Sequence, residues 1–195
     1  MMKGAMTLEK ERTPIVYPST MIVWLIIVTI IMVFAGLTSA LIVKKSDGSW
    51  LSFEVPAIFT LSTAVIVVSS AFLEIAQIFN KKNKKNATSI VLWLSLLLGV
   101  GFMATQFIGW TDLVDQNIYL GGANSNAAGS FVYVITGLHW AHMIAGVIYM
   151  VIVAVTIAFN EFDNPVRAVR NCATFWHFLG LLWLYLYIFL ILNYN

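Results

Sequence analysis

Five long apolar runs divide this chain, and its charged residues collect between them. The runs cover about 19–43, 54–79, 88–110, 130–158 and 172–192. A hydrocarbon core of about 30 Å needs roughly 20 helical residues, and every run meets that length. A transmembrane barrel would instead show short alternating strands, unlike these continuous runs. The pattern predicts an all-α integral membrane bundle of five transmembrane helices, a single membrane domain over 1–195 without internal repeats. The first run is too long for a signal-peptide core and reads as a retained span. Pro18 and Pro56 fall just before or at helix starts, where a missing N–H costs little. Pro165 reads as a loop residue.

Polar and small residues interrupt the runs at helical spacing. On the fourth, Gly137, Ala141 and Ala145 recur every four residues, a stripe where another backbone can approach. His139, His142, Gly146 and Tyr149 make a second stripe about 100° or more around the helix. The histidines are therefore expected to flank the tightest seam rather than fill it. The second run has Thr63, Ser70, Glu74 and Gln77 on one face. The third has Ser95, Gly99, Met103, Gln106 and Trp110, and the fifth His177, Gly180, Leu184 and Tyr187. At 1.5 Å per residue, His177, Glu74 and His142 lie about 8, 9 and 12 Å inside the same boundary. A carboxylate at that depth needs a partner. A contact between Glu74 and a histidine is expected, with Lys81 or Lys82 reaching back as the alternative.

Composition agrees with the pattern. The chain is 60% hydrophobic and 10% charged, against about 25% charged in soluble domains, and its mean hydropathy is +0.86. The net charge of +2 matters less than its distribution. With a cytoplasmic N-terminus, that side receives Lys3, Lys10, Arg12, Lys81, Lys82, Lys84, Lys85, Arg167 and Arg170, and the other only Lys44 and Lys45. That bias places the C-terminus outside, along with the loop 111–129 and its Asp112 and Asp115. "KKNKK" (81–85) reads as a topology anchor, with an anionic-lipid or partner site as the alternative. Cys172 is the single cysteine, so no internal disulfide forms.

Little of this composes an active site. Zinc or copper would need three or more good ligands, and the fourth run offers one His–x–x–His. His142 and His177 could be matched axial haem ligands on facing helices, which leaves a stand-alone di-histidine haem b anchor as one alternative. Glu74 could belong to a proton relay, but one carboxylate makes no continuous path. No nucleophile–base pair, phosphate loop or nucleic-acid surface is present. His139, His142, His177, Glu74, Gln106 and Trp176 are read as structural intramembrane polar residues, with no catalytic, cofactor or metal role.

Two motifs carry a resemblance. "GSFVYVITGLHWAHMIAGVIYM" (129–150) holds Thr136-Gly137-Leu138-His139-Trp140-Ala141-His142 followed by Gly146. "FWHFLGLLWLYLYIFLILN" (175–193) opens on Phe175, Trp176, His177 and Phe178 and carries Trp183, Tyr185 and Tyr187. Together with Ser69–Ser70 and "LGVGFMATQ" (98–106), they resemble five-helix subunit III proteins of haem–copper cytochrome oxidases over roughly residues 50 to 193. The resemblance implies a non-catalytic accessory subunit of an aerobic respiratory cytochrome c oxidase in a bacterial inner membrane. It implies packing on subunit I, partnership with subunits I and II, bound phospholipid, and support of proton uptake and enzyme stability. Haem and copper would reside in the partner subunits. An accessory subunit of a quinol oxidase or nitric-oxide reductase is the related alternative. Four positions depart from the family pattern. Ile30 or Thr29 stands for a glutamate, Gly109 and Gly180 for acidic residues, and Glu74 for a histidine.

Overall fold

The computed structural model describes residues 17–46, 50–122, 125–159 and 164–194. Within them the chain forms five helices and no strand: α1 Pro18–Lys45, α2 Ile58–Lys81, α3 Lys85–Asp115, α4 Ala127–Ala158 and α5 Pro165–Tyr194. All five are long and apolar enough to cross a membrane. Lys3, Lys10 and Arg12 lie outside the described residues.

Local chemistry moves several expected boundaries. The second helix starts at Ile58, not near 54, and the stretch before it straps the C-terminal end of α5. There Phe53 N donates to Tyr194 O, while Trp50 Nε1 and Lys45 Nζ donate to Asn193 O. α3 continues through Asp115, so Asp112 and Asp115 sit in its last turn rather than in a loop. Pro165 is likewise no loop residue. It opens α5, where proline gives up no needed bond, while Asn164 Oδ1 accepts the Arg167 N–H at 3.1 Å. α4 begins earlier than expected because Asn126 caps it, accepting Gly129 N at 2.7 Å. Asparagine at that place satisfies an otherwise orphaned donor.

α2 and α3 form a tight antiparallel hairpin and make the most extensive contact in the bundle. Its turn uses Asn83 at φ +60°, a left-handed geometry that asparagine tolerates. "KKNKK" therefore straddles the end of α2, this turn and the start of α3. α5 packs on α2 and α4, α3 packs on α4, and α1 leans on α4 and α5. Asn80 Nδ2 donates to Pro165 O, and Thr20 Oγ1 to Asn171 Oδ1. Those bonds gather Lys81, Lys82, Lys84, Lys85, Arg167 and Arg170 at one end, with Lys44 and Lys45 at the other.

Burial follows the polar and small residues. Ser69 and Ser95 face each other in the α2–α3 seam: Ser69 Oγ lies 2.8 Å from Ser95 O, and Ser95 Oγ 2.9 Å from Ser69 O. Both serines are fully buried. Interhelical hydrogen bonds in lipid contribute about 0.6 to 2 kcal/mol. Ser69→Ala is expected to lose that amount, as measured by denaturation of the detergent-solubilised protein, and Ser70→Ala less. Equal losses would contradict this seam.

The small-residue stripe of α4 is corrected. Ala141 and Ala145 are exposed, and a Cβ added to Gly137 would meet nothing within 4 Å. The tight approach lies instead at Gly146, where a Cβ would fall 2.8 Å from Leu179 Cδ1 and 3.3 Å from the Trp176 ring. His139, Met143, Gly146 and Met150 share that buried face. His139 thus fills the seam it was expected to flank.

Candidate functional site

The chemistry-bearing side chains divide into three groups around α5. At the cationic end, His177 Nε2 lies 3.4 Å from Glu74 Oε2. The same carboxylate oxygen accepts Gln77 Nε2 at 2.7 Å. Spacing on α2 puts Glu74 and Gln77 three residues apart on one face, and the α2–α5 contact brings His177 to them. Depth counting anticipated this pairing. The pair is partly open to its surroundings, with His177 half-buried and Glu74 exposed. A groove of about 320 Å³ runs from His177 along the α2–α5 surface, lined by Ile66, Ser70, Gly180 and Leu184. A Cβ added at Gly180 would stand 3.4 Å from Ser70 Oγ.

Deeper in the bundle sits Trp176, the residue before His177. Its ring is buried, and Nε1 donates to Ser69 Oγ at 3.2 Å. Gly99 of α3 and Gly146 of α4 both turn toward the indole. Two turns further along, Trp183 meets the rings of Phe59, Phe102 and His139 at centroid distances of 5.6, 5.2 and 5.4 Å. Its Nε1 donates to Thr63 Oγ1 at 3.0 Å. Phe59 in turn occupies the space a side chain at Gly109 would need.

The histidines of α4 part ways. His142 Nδ1 donates to Leu138 O within its own helix at 2.7 Å, and its ring meets Phe34 of α1 edge-on. It does not join Glu74 and His177, although depth alone would have permitted it. Because His142 turns to α1 and His177 to α2, they are not facing axial ligands. His139 is enclosed by Phe34, Phe102 and Trp183. Gln106, on the buried face of α3, is equally enclosed. Among the described residues, no three His, Cys, Asp or Glu side chains converge where a metal could be held.

Sequence reasoning singled out Trp176 but gave Trp183 no role beyond a motif match. The signal was available: seven residues separate the two tryptophans, close to two turns, so both face inward together. Tyr194 was also missed. Its hydroxyl donates to Ala128 O at 2.8 Å, tying the end of α5 to the start of α4.

The described groups bind helices together, and comparison with known proteins agrees on what such a bundle is. A family profile for cytochrome c oxidase subunit III matches residues 25–194. A probable cytochrome c oxidase subunit 3 from Nocardia farcinica is 28% identical, covering 80% of this chain and 79% of its own. A cytochrome bo(3) ubiquinol oxidase subunit 3 from Pseudomonas aeruginosa is 26% identical, covering 83% and 78%. A probable quinol oxidase subunit 3 from Staphylococcus saprophyticus is 21% identical, covering 84% and 83%. With its two histidine motifs in place and the profile running through all five helices, the chain belongs to the cytochrome c oxidase subunit III family.

Proposed function

We propose that this chain is the non-catalytic subunit III of an aerobic respiratory haem–copper cytochrome c oxidase, packed on subunit I alongside subunit II. The observation that carries the reading is the family match across residues 25–194, joined to histidines engaged with helices rather than with one another. Haem and copper belong to the partner subunits. The accessory role is to bind phospholipid and to support proton uptake and enzyme stability. The apolar α2–α5 groove suits an acyl chain, and Glu74 with His177 gives the cationic end a carboxylate–imidazole pair. Lysine and arginine bias supports a cytoplasmic N-terminus and an outside C-terminus, and the five-span form supports a bacterial inner membrane. A quinol oxidase is the second reading, favoured by relatives from Pseudomonas and Staphylococcus that carry that name.

Affinity purification from native membranes tests both. A copper-bearing subunit II in the eluate marks the cytochrome c enzyme, and a copper-free one the quinol enzyme. The chain eluting without any oxidase subunit refutes the reading. His142→Ala is expected to loosen the subunit by removing a ring packed on Phe34 of α1, while the complex keeps its reduced-minus-oxidised haem spectrum. Loss of the haem signal from complex that still assembles would refute the non-ligand role.

A further inference from the structure

Gln106 on α3 and His139 on α4 are fully enclosed, yet neither the amide nor the imidazole has a hydrogen-bond partner among the described residues. A buried polar group left unsatisfied destabilises the fold, because its lost hydration is not repaid. Two such groups in one seam call for a common physical account.

Their levels coincide. α3 and α4 are antiparallel neighbours, so each step along one helix matches a step back along the other. Trp110 Nε1 donates to Thr136 Oγ1, and Trp140 Nε1 to Met103 O. Counting from the first contact, four residues along α3 to Gln106 correspond to Trp140. Counting from the second, three residues to Gln106 correspond to Gly137. Gln106 therefore lies level with residues 137–140, the interval that contains His139. Both belong to the buried faces of their helices, and Phe102, one turn before Gln106 on that face of α3, meets the His139 ring at 6.2 Å, so azimuth agrees as well as level. Aromatic rings surround the imidazole, with Phe34 and Phe102 edge-on and Trp183 tilted across it.

We propose that Gln106 and His139 form an internal binding site for one water molecule, which bridges the amide to a ring nitrogen. A carboxamide offers both a donor and an acceptor, and so does a neutral imidazole. Water can complete either pairing, and a buried water typically makes about three hydrogen bonds. The rings around the imidazole are apolar, and a carboxamide beside an imidazole suits a small neutral guest. The site pins α3 to α4 at mid-depth, between the two tryptophan bonds. It stands whichever electron donor the assembled enzyme uses.

A high-resolution map of the assembled complex tests the site directly. A solvent peak within about 3.2 Å of the Gln106 amide and a His139 ring nitrogen is expected. Side chains rotated into a direct amide–ring bond, or an enclosed pair with no peak, would overturn it. Thermal denaturation of Gln106→Leu, His139→Leu and the double variant gives a second readout. Each single change strands the water and the remaining partner, so the double variant is expected to lose less Tm than the two singles combined. Additive losses would overturn the shared site. Should either single variant fail to assemble, the unmodified protein's map decides.

Discussion

Trp183→Ala is expected to destabilise the bundle by about 3 kcal/mol, the lower end of the range for truncating a buried tryptophan. The lower end applies because the solvent is lipid. Helices separated in a bilayer keep their apolar side chains out of water, so little transfer energy is lost. The remaining loss is dispersion contact and the void left behind. That loss is concentrated here, because one indole touches Phe59 of α2, Phe102 of α3 and His139 of α4. Trp183→Phe is expected to cost about 1 kcal/mol, keeping ring contact but losing the hydrogen bond to Thr63. Thr63 itself retains its bond to Phe59 O. Denaturant titration of the purified protein in detergent measures both. An alanine variant as stable as the parent would show that these four helices do not meet at this ring.

Gly99→Leu should be comparably damaging for the opposite reason. A Cβ at Gly99 would stand 2.5 Å from Trp176 Cη2 and 2.6 Å from Cζ2. The indole cannot retreat, since Gly146 holds its other side and Ser69 accepts its N–H. Overpacking of a filled core costs about 1 to 3 kcal/mol or more, and leucine adds four carbons where one already collides. The expected result is loss of assembled protein on native gels, with Gly99→Ala intermediate. Gly101→Leu is the matched control, because nothing lies within 4 Å of its Cβ position. Equal behaviour at Gly99 and Gly101 would contradict the packing.

Depth was legible where charges bounded it. Counting residues inward from the cationic end paired Glu74 with a histidine, and His177 is 3.4 Å away. The same count made His142 an equal candidate, because depth says nothing of azimuth. Its ring turns to Phe34 instead. The glycines show the same limit. Gly137 with its two alanines made the more regular stripe, yet Gly99, Gly109 and Gly146 receive the aromatic rings. Spacing finds small residues; only the partner's bulk shows which of them are used. Trp176 supplies that bulk at Gly99 and Gly146, and Phe59 supplies it at Gly109, each from another helix.

The sequence by itself determined that this is a membrane bundle, how many spans it has, and to which family its histidine motifs point. Those properties rest on length, charge placement and local order, which each segment carries alone. Which face of each span turns inward was settled only in the tertiary structure. In water, an apolar stripe marks the buried side of a helix. In lipid both sides are apolar, as exposed Leu25, Met32, Leu97 and Leu192 show. Packing there is decided by how shapes and a few polar atoms fit across helices, and that fit appears only once the helices are together.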